Sequence, residues 1–140
     1  MRGTLCVLLP FTAATLGSCN YDERLLQLMD DMVQTKSEAD ADHQKYLAAF
    51  AARPAGDCQS PDLERAVSQA DSWARNDEAM SMREQGLAWA LATADAAAAH
   101  GCPDVAHGIY DWVIGGFVGE GYAAYRQRAE IGLANLRAAR

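Results

Sequence analysis

The stretch SPDLERAVSQADSWARNDEAMSMREQGLAWALATADAAAAHG, residues 60–101, decides the fold. Ser60-Pro61-Asp62 reads as an N-cap, a proline at the first helical position and an acid in the first turn, so a helix starts there. Its buried stripe is Leu63, Ala66, Val67, Ala70, Trp73 and Ala74, and Asn76-Asp77 offers a stop and a fresh cap. A second helix is expected from Asp77 to His100, with Met80, Leu87, Leu91, Ala94 and Ala98 on one side. Gly101 and Pro103 end it, glycine at the cap and proline beyond. No run of alternating Val, Ile or Thr occurs, and Ala, Leu, Glu, Gln and Arg dominate, so the chain is expected to be all-α.

Upstream, Leu25, Met29 and Met32 begin a stripe that resumes at Ala39, Tyr46 and Phe50, and the same register passes through Lys36 and His43. The polar middle implies a break or an exposed stretch, with Ser37 as a candidate N-cap and Asp40 three residues on. Downstream, Asp104 is expected to cap a helix that turns Val105, Ile109, Trp112, Val113 and Phe117 inward. Gly115-Gly116 either loosens its end or permits close packing, and Gly119-Glu120-Gly121 makes the turn. The last helix carries Tyr122, Tyr125, Ala129, Leu133 and Leu136 inside, with Gly132 where another backbone is expected to approach. The expected fold is a small all-α bundle of about five helices in antiparallel hairpins.

The chain has 140 residues, half of them hydrophobic and 22% charged, enough for one core. Its formal net charge of −7 excludes a strongly basic nucleic-acid face, which needs clustered Lys and Arg, so no nucleic-acid partner is expected. Charge is uneven: from Gly121 to Arg140, Arg126, Arg128, Arg137 and Arg140 face one acid, Glu130. That basic end is expected to dock on the acidic body or to complement a helix C-terminus.

Arg2 is followed by an apolar run from Thr4 to Leu16, too short to span a bilayer of roughly 30 Å as a helix. The run closes on Leu16-Gly17-Ser18-Cys19, which resembles the lipobox of bacterial lipoproteins. The resemblance implies a signal peptide at residues 1–18, a single helical domain at 19–140, and palmitate-type acylation of Cys19, whose chains replace a transmembrane anchor. Asn20 rather than Asp after Cys19 is similar to the enteric pattern that directs lipoproteins to the outer membrane, facing the periplasm. Loss of residues 1–18 removes Arg2 and no acid, taking the charge from −7 to −8.

With Cys6 gone and Cys19 lipidated, the resemblance leaves Cys58 and Cys102 as a pair that an oxidising periplasm would join. One straight helix over residues 61–100 would be about 60 Å long and hold them apart, so that pairing needs a turn near Arg75 to Asp77.

The segment from Ala106 to Leu136, through Ile109-Tyr110-Asp111-Trp112-Val113-Ile114, Phe117, Tyr122-Ala123-Ala124-Tyr125 and Ala129, resembles a helical pair of tetratricopeptide type, as in periplasmic scaffold lipoproteins. Val118 stands where that pattern has a proline, and no second copy follows at a period of about 34 residues.

Sites of chemistry are scarce. His100, Cys102, Asp104 and His107 crowd one helix junction, but each has a structural role there as last-turn cation, disulfide partner, cap and first-turn residue. Met29, Met32, Met80 and Met82 are read as core fillers rather than soft metal ligands. Ser72 and Ser81 lack a recognisable base and orienting acid, and the glycines from Gly115 to Gly121 lie between two helices, outside any nucleotide-binding context. No catalytic residue, metal site or cofactor is expected, and no enzymatic activity.

Leu87 and Trp89 lie about 200° apart around their helix, so one of them faces a second neighbour or an open groove. Trp89 is therefore a candidate partner contact, and Tyr122, Arg126 and Arg128 are further candidates. The expected function is that of a lipid-anchored periplasmic accessory or scaffold that binds protein in an envelope assembly. Its expected partners are membrane lipid, through the anchor, and an envelope protein. The rivals are a secretion pilotin or immunity-type protein with one dedicated partner, and a periplasmic metal carrier using Met80, Met82 and the junction histidines.

Overall fold

The computed structural model describes residues 16–140, and side chains from Asp22 onward. Of the expected signal peptide, residues 1–15 lie outside the described residues, as do the side chains of residues 16–21, that of Cys19 among them. The described chain is all-α: α1 (Leu16–Ala51), α2 (Pro61–Ala74), α3 (Met80–Ala99), α4 (Pro103–Gly116) and α5 (Ala123–Ala138), with a single 3-10 turn at Glu120–Tyr122. It divides into two compact units, Met1–Ser37 and Glu38–Arg140. Among the described residues no helix is long and apolar enough to cross a membrane.

In the second unit, α3 is the central helix. Gly86, Leu87, Trp89, Ala90, Leu91, Thr93, Ala94 and Ala97 are all buried, so it has no single wet face. Its alanines let neighbours come close, and α2, α4 and α5 all pack on it. The α2–α3 crossing is tightest at Gly86, where a Cβ would lie 2.1 Å from the backbone nitrogen of Ala74. Leu63, Ala66, Ala70 and Ala74 are the buried stripe of α2, as its spacing implies.

The local signals act as expected at the start of α2. Ser60 is extended, its Oγ accepts from the Leu63 N–H at 3.2 Å, and Pro61 opens the helix. Gly101 follows α3 with φ +81°, the left-handed conformation that glycine adopts without strain. Cys58 and Cys102 are bonded, with Cα atoms 5.5 Å apart, which sets the beginning of α2 beside the end of α3.

Four local expectations are corrected. α1 continues through Ser37, so the polar middle is the exposed stretch of the two alternatives and not a break, while Leu25, Met29 and Met32 are about half exposed rather than core. α3 begins at Met80, because Asn76 Oδ1 accepts from the N–H groups of Glu78 and Ala79, both at 3.0 Å, and holds 76–79 in a turn. Met80 is consequently exposed. Cys102, not Asp104, is the N-cap of α4; Asp104 sits in the first turn with its side chain in solvent and ion-pairs at 3.8 Å with Arg140. Gly132 admits the ring of Tyr110 rather than a backbone: a Cβ there would lie 2.3 Å from Tyr110 Cζ.

Candidate functional site

α2 and α4 lie on either side of α3, and a groove of about 400 Å³ runs between them. Val67, Ser68, Ala70, Asp71 and Arg75 of α2 form one wall; Asp104, Val105, Gly108, Ile109 and Trp112 of α4 form the other. Ala90 and Thr93 of α3 lie beneath. Small residues at Ala70, Ala90 and Gly108 leave room between the larger side chains of the lining. Gly108 has open space where a side chain would stand, and the short side chains of Ala70 and Ala90 are buried below it.

Arg75 and Trp112 also line a second cleft of about 590 Å³, so that pair borders both recesses. This end sets two guanidinium groups, Arg75 paired with Asp71 and Arg83 with Asp77, beside aromatic rings. The Arg75 guanidinium lies 5.9 Å from the Trp112 ring centre, and its Nε donates to Asp71 at 2.6 Å. Trp112, Phe117 and Tyr122 form an edge-to-face series with centroids 5.2 and 5.6 Å apart. Arg83 reaches Tyr122 from the other side, Nη1 donating to Oη at 2.7 Å. That bond, more than its contact with Asp77, raises the guanidinium's pKa further above its ordinary value.

Arg126 shapes this cleft from behind. Its Nη1 donates to the carbonyls of Phe117 and Gly119, both at 2.6 Å, fixing the segment that follows α4. Arg128 instead lies on the acidic body, Nη2 donating to Asp95 Oδ2 at 2.8 Å. The other carboxylate oxygen of Asp95 accepts from Tyr110 Oη, whose pKa is raised by burial first and by that carboxylate second. Thus Tyr122 lines the cleft, Arg126 supports it, and Arg128 serves α5–α3 packing.

Trp89 takes the buried alternative, not the groove. It is 2% exposed, stacked on His43 with centroids 5.0 Å apart and tilted against Trp73 at 4.7 Å. Its Nε1 donates to Asp40 at 2.7 Å, so the second neighbour that its helical position required is the 38–51 segment of α1. His43, fully buried, completes a polar row. Gln69 donates to the Ala39 carbonyl and presents Oε1 to His43 Nδ1 at 3.1 Å, which places the ring proton on Nδ1. Nε2 then faces the Thr93 hydroxyl at 3.3 Å. Burial is the main influence on this imidazole and lowers its pKa; Gln69 and Asp40 oppose it.

The junction cluster is dispersed into separate contacts. His100 Nε2 meets the Arg53 carbonyl at 2.7 Å, His107 pairs with Asp111 at 3.0 Å, and Cys102 is in the disulfide. Among the described residues, no group of three or more His, Cys, Asp and Glu side chains is placed to hold a metal ion. Ser72 and Ser81 are exposed on their helices. The arrangement is a shallow, mostly apolar groove that ends at guanidinium and aromatic groups. Sequence reasoning singled out Tyr122 but missed Arg75, Arg83, Trp112 and Gly108 as lining residues; the signal was the coincidence of small positions on α2, α3 and α4. Comparison with known proteins finds no matching family model, no matching curated protein and no matching solved structure.

Proposed function

We propose that this chain is a bacterial lipoprotein, anchored through acylated Cys19 in the cell envelope, that binds a segment of an envelope protein in the α2–α4 groove. The observation that carries the binding reading is that Arg75 and Trp112 line both that groove and the larger cleft beside it. A groove walled in part by Ala70 and Gly108, with Ala90 beneath, accepts small or flat apolar side chains. Arg75 and Arg83, beside Trp112 and Tyr122, favour an acidic or carboxylate group next to them. The ligand class is therefore an apolar segment that carries an acid at one end. The lipobox at Leu16-Gly17-Ser18-Cys19 supports the anchor, and the anchor favours a membrane-proximal partner. An accessory or scaffold role in an envelope assembly follows from those two premises.

The test is photo-crosslinking in intact cells, with a photoreactive residue at Gly108 and, as control, at exposed Glu130. The reading expects one envelope protein to be captured at Gly108 and not at Glu130, through a peptide of that composition, with capture lost in Arg75→Glu. Equal capture at both positions, or none at either, contradicts it.

A further inference from the structure

The exposed face of α1 in the first unit is assigned here to a second copy of this chain. Leu25, Leu26, Leu28, Met29, Met32 and Val33 are each 49–69% exposed. They fall within about 160° of the helix circumference, wider than a scatter of single surface hydrophobes and wide enough for a helix–helix seam. Leu25, Met29 and Met32 are spaced four and three apart, and the same spacing continues through Lys36 to Ala39, His43, Tyr46 and Phe50. That is a heptad register, with Leu25 and Met32 at d positions and Asp22, Met29 and Lys36 at a positions.

The charges choose the occupant and its direction. Residues 22–37 carry Asp22, Glu23, Asp30 and Asp31 against Arg24 and Lys36, an acidic balance that disfavours an anionic lipid surface. Two copies running parallel in register would set Asp22 against Asp22 and Lys36 against Lys36. Two copies running antiparallel bring Lys36 within about one helical turn of Asp22 of the other copy, twice by symmetry, with the Leu and Met side chains between. We infer that the chain pairs through this seam, antiparallel.

The experiment uses the full chain, purified from membranes in a non-ionic detergent and followed by sedimentation velocity over a range of concentrations. The expected result is a dimer that Asp22→Lys and Lys36→Asp each weaken by roughly tenfold, since each change converts two attractions into two repulsions, and that the double exchange restores. Met29→Glu is expected to abolish it. Thermal unfolding of each variant checks that the bundle stays folded, which exposed positions permit. A chain that remains monomeric at every concentration, or a double exchange no stronger than the single variants, overturns the inference and leaves this face to lipid or another protein.

Discussion

His43 is a residue whose chemistry is reset by burial. In an unfolded chain its imidazole takes a proton near pH 6.5, whereas burial against Trp89 lowers its pKa in the fold. The unfolded state therefore binds more protons just below that pH, so stability falls as the pH drops through about 6.5 and is fully present above it. Urea unfolding at pH 7.5 and 5.5 is expected to show this loss, and His43→Phe, which keeps a ring on Trp89, to flatten it while lowering stability at both values. His43 was legible as a member of the stripe, but not as buried, because its burial depends on Gln69, Trp89 and Thr93, each at least 26 residues away. The glycines divide just as sharply. Gly86→Ala forces a Cβ into the backbone of α2 and is expected to cost about 3 kcal/mol, whereas Gly108→Ala, with open space around it, gains about 0.5–1 kcal/mol from helix propensity. Thermal and urea denaturation of the two variants read opposite signs.

Helix boundaries were legible where a single residue sets them. Ser60 and Pro61 start α2 because cap and ring act locally, and Gly101 ends α3 for the same reason. The start of α3 was misplaced because Asn76 spends its side chain on a turn before the helix, and sequence alone does not separate a cap from such a turn. The α2–α3 hairpin closes on the Cys58–Cys102 bond, across 44 residues. Removing it with Cys58→Ala and Cys102→Ala is expected to lower stability by about 4 kcal/mol through the entropy returned to the unfolded chain, measured by urea unfolding beside the oxidised parent. α5 was readable as an amphipathic helix, with Ala129, Leu133 and Leu136 buried as spaced. Of its arginines, Arg128 docks on the acidic body at Asp95, as one of the two expected roles has it, and Arg126 closes on the carbonyls of Phe117 and Gly119, past the end of α4.

For the whole molecule, the all-α class of the described residues is legible because composition and periodicity agree over most of them. The candidate groove is not, since it is a gap between α2 and α4 that only their common seat on α3 creates. An apolar bulk placed there tests it without disturbing the core: Gly108→Trp is expected to leave the unfolding temperature within a few degrees and to remove capture of the envelope partner. Binding beside a membrane matters only if the chain is held there, so attachment is the claim on which the account turns. The decisive measurement is the intact mass of the chain extracted from cell membranes. The account predicts a species beginning at Cys19, heavier by its acyl chains and lighter by the two hydrogens lost in joining Cys58 to Cys102. A chain that still carries residues 1–18, without acyl mass and with both thiols free, would contradict it.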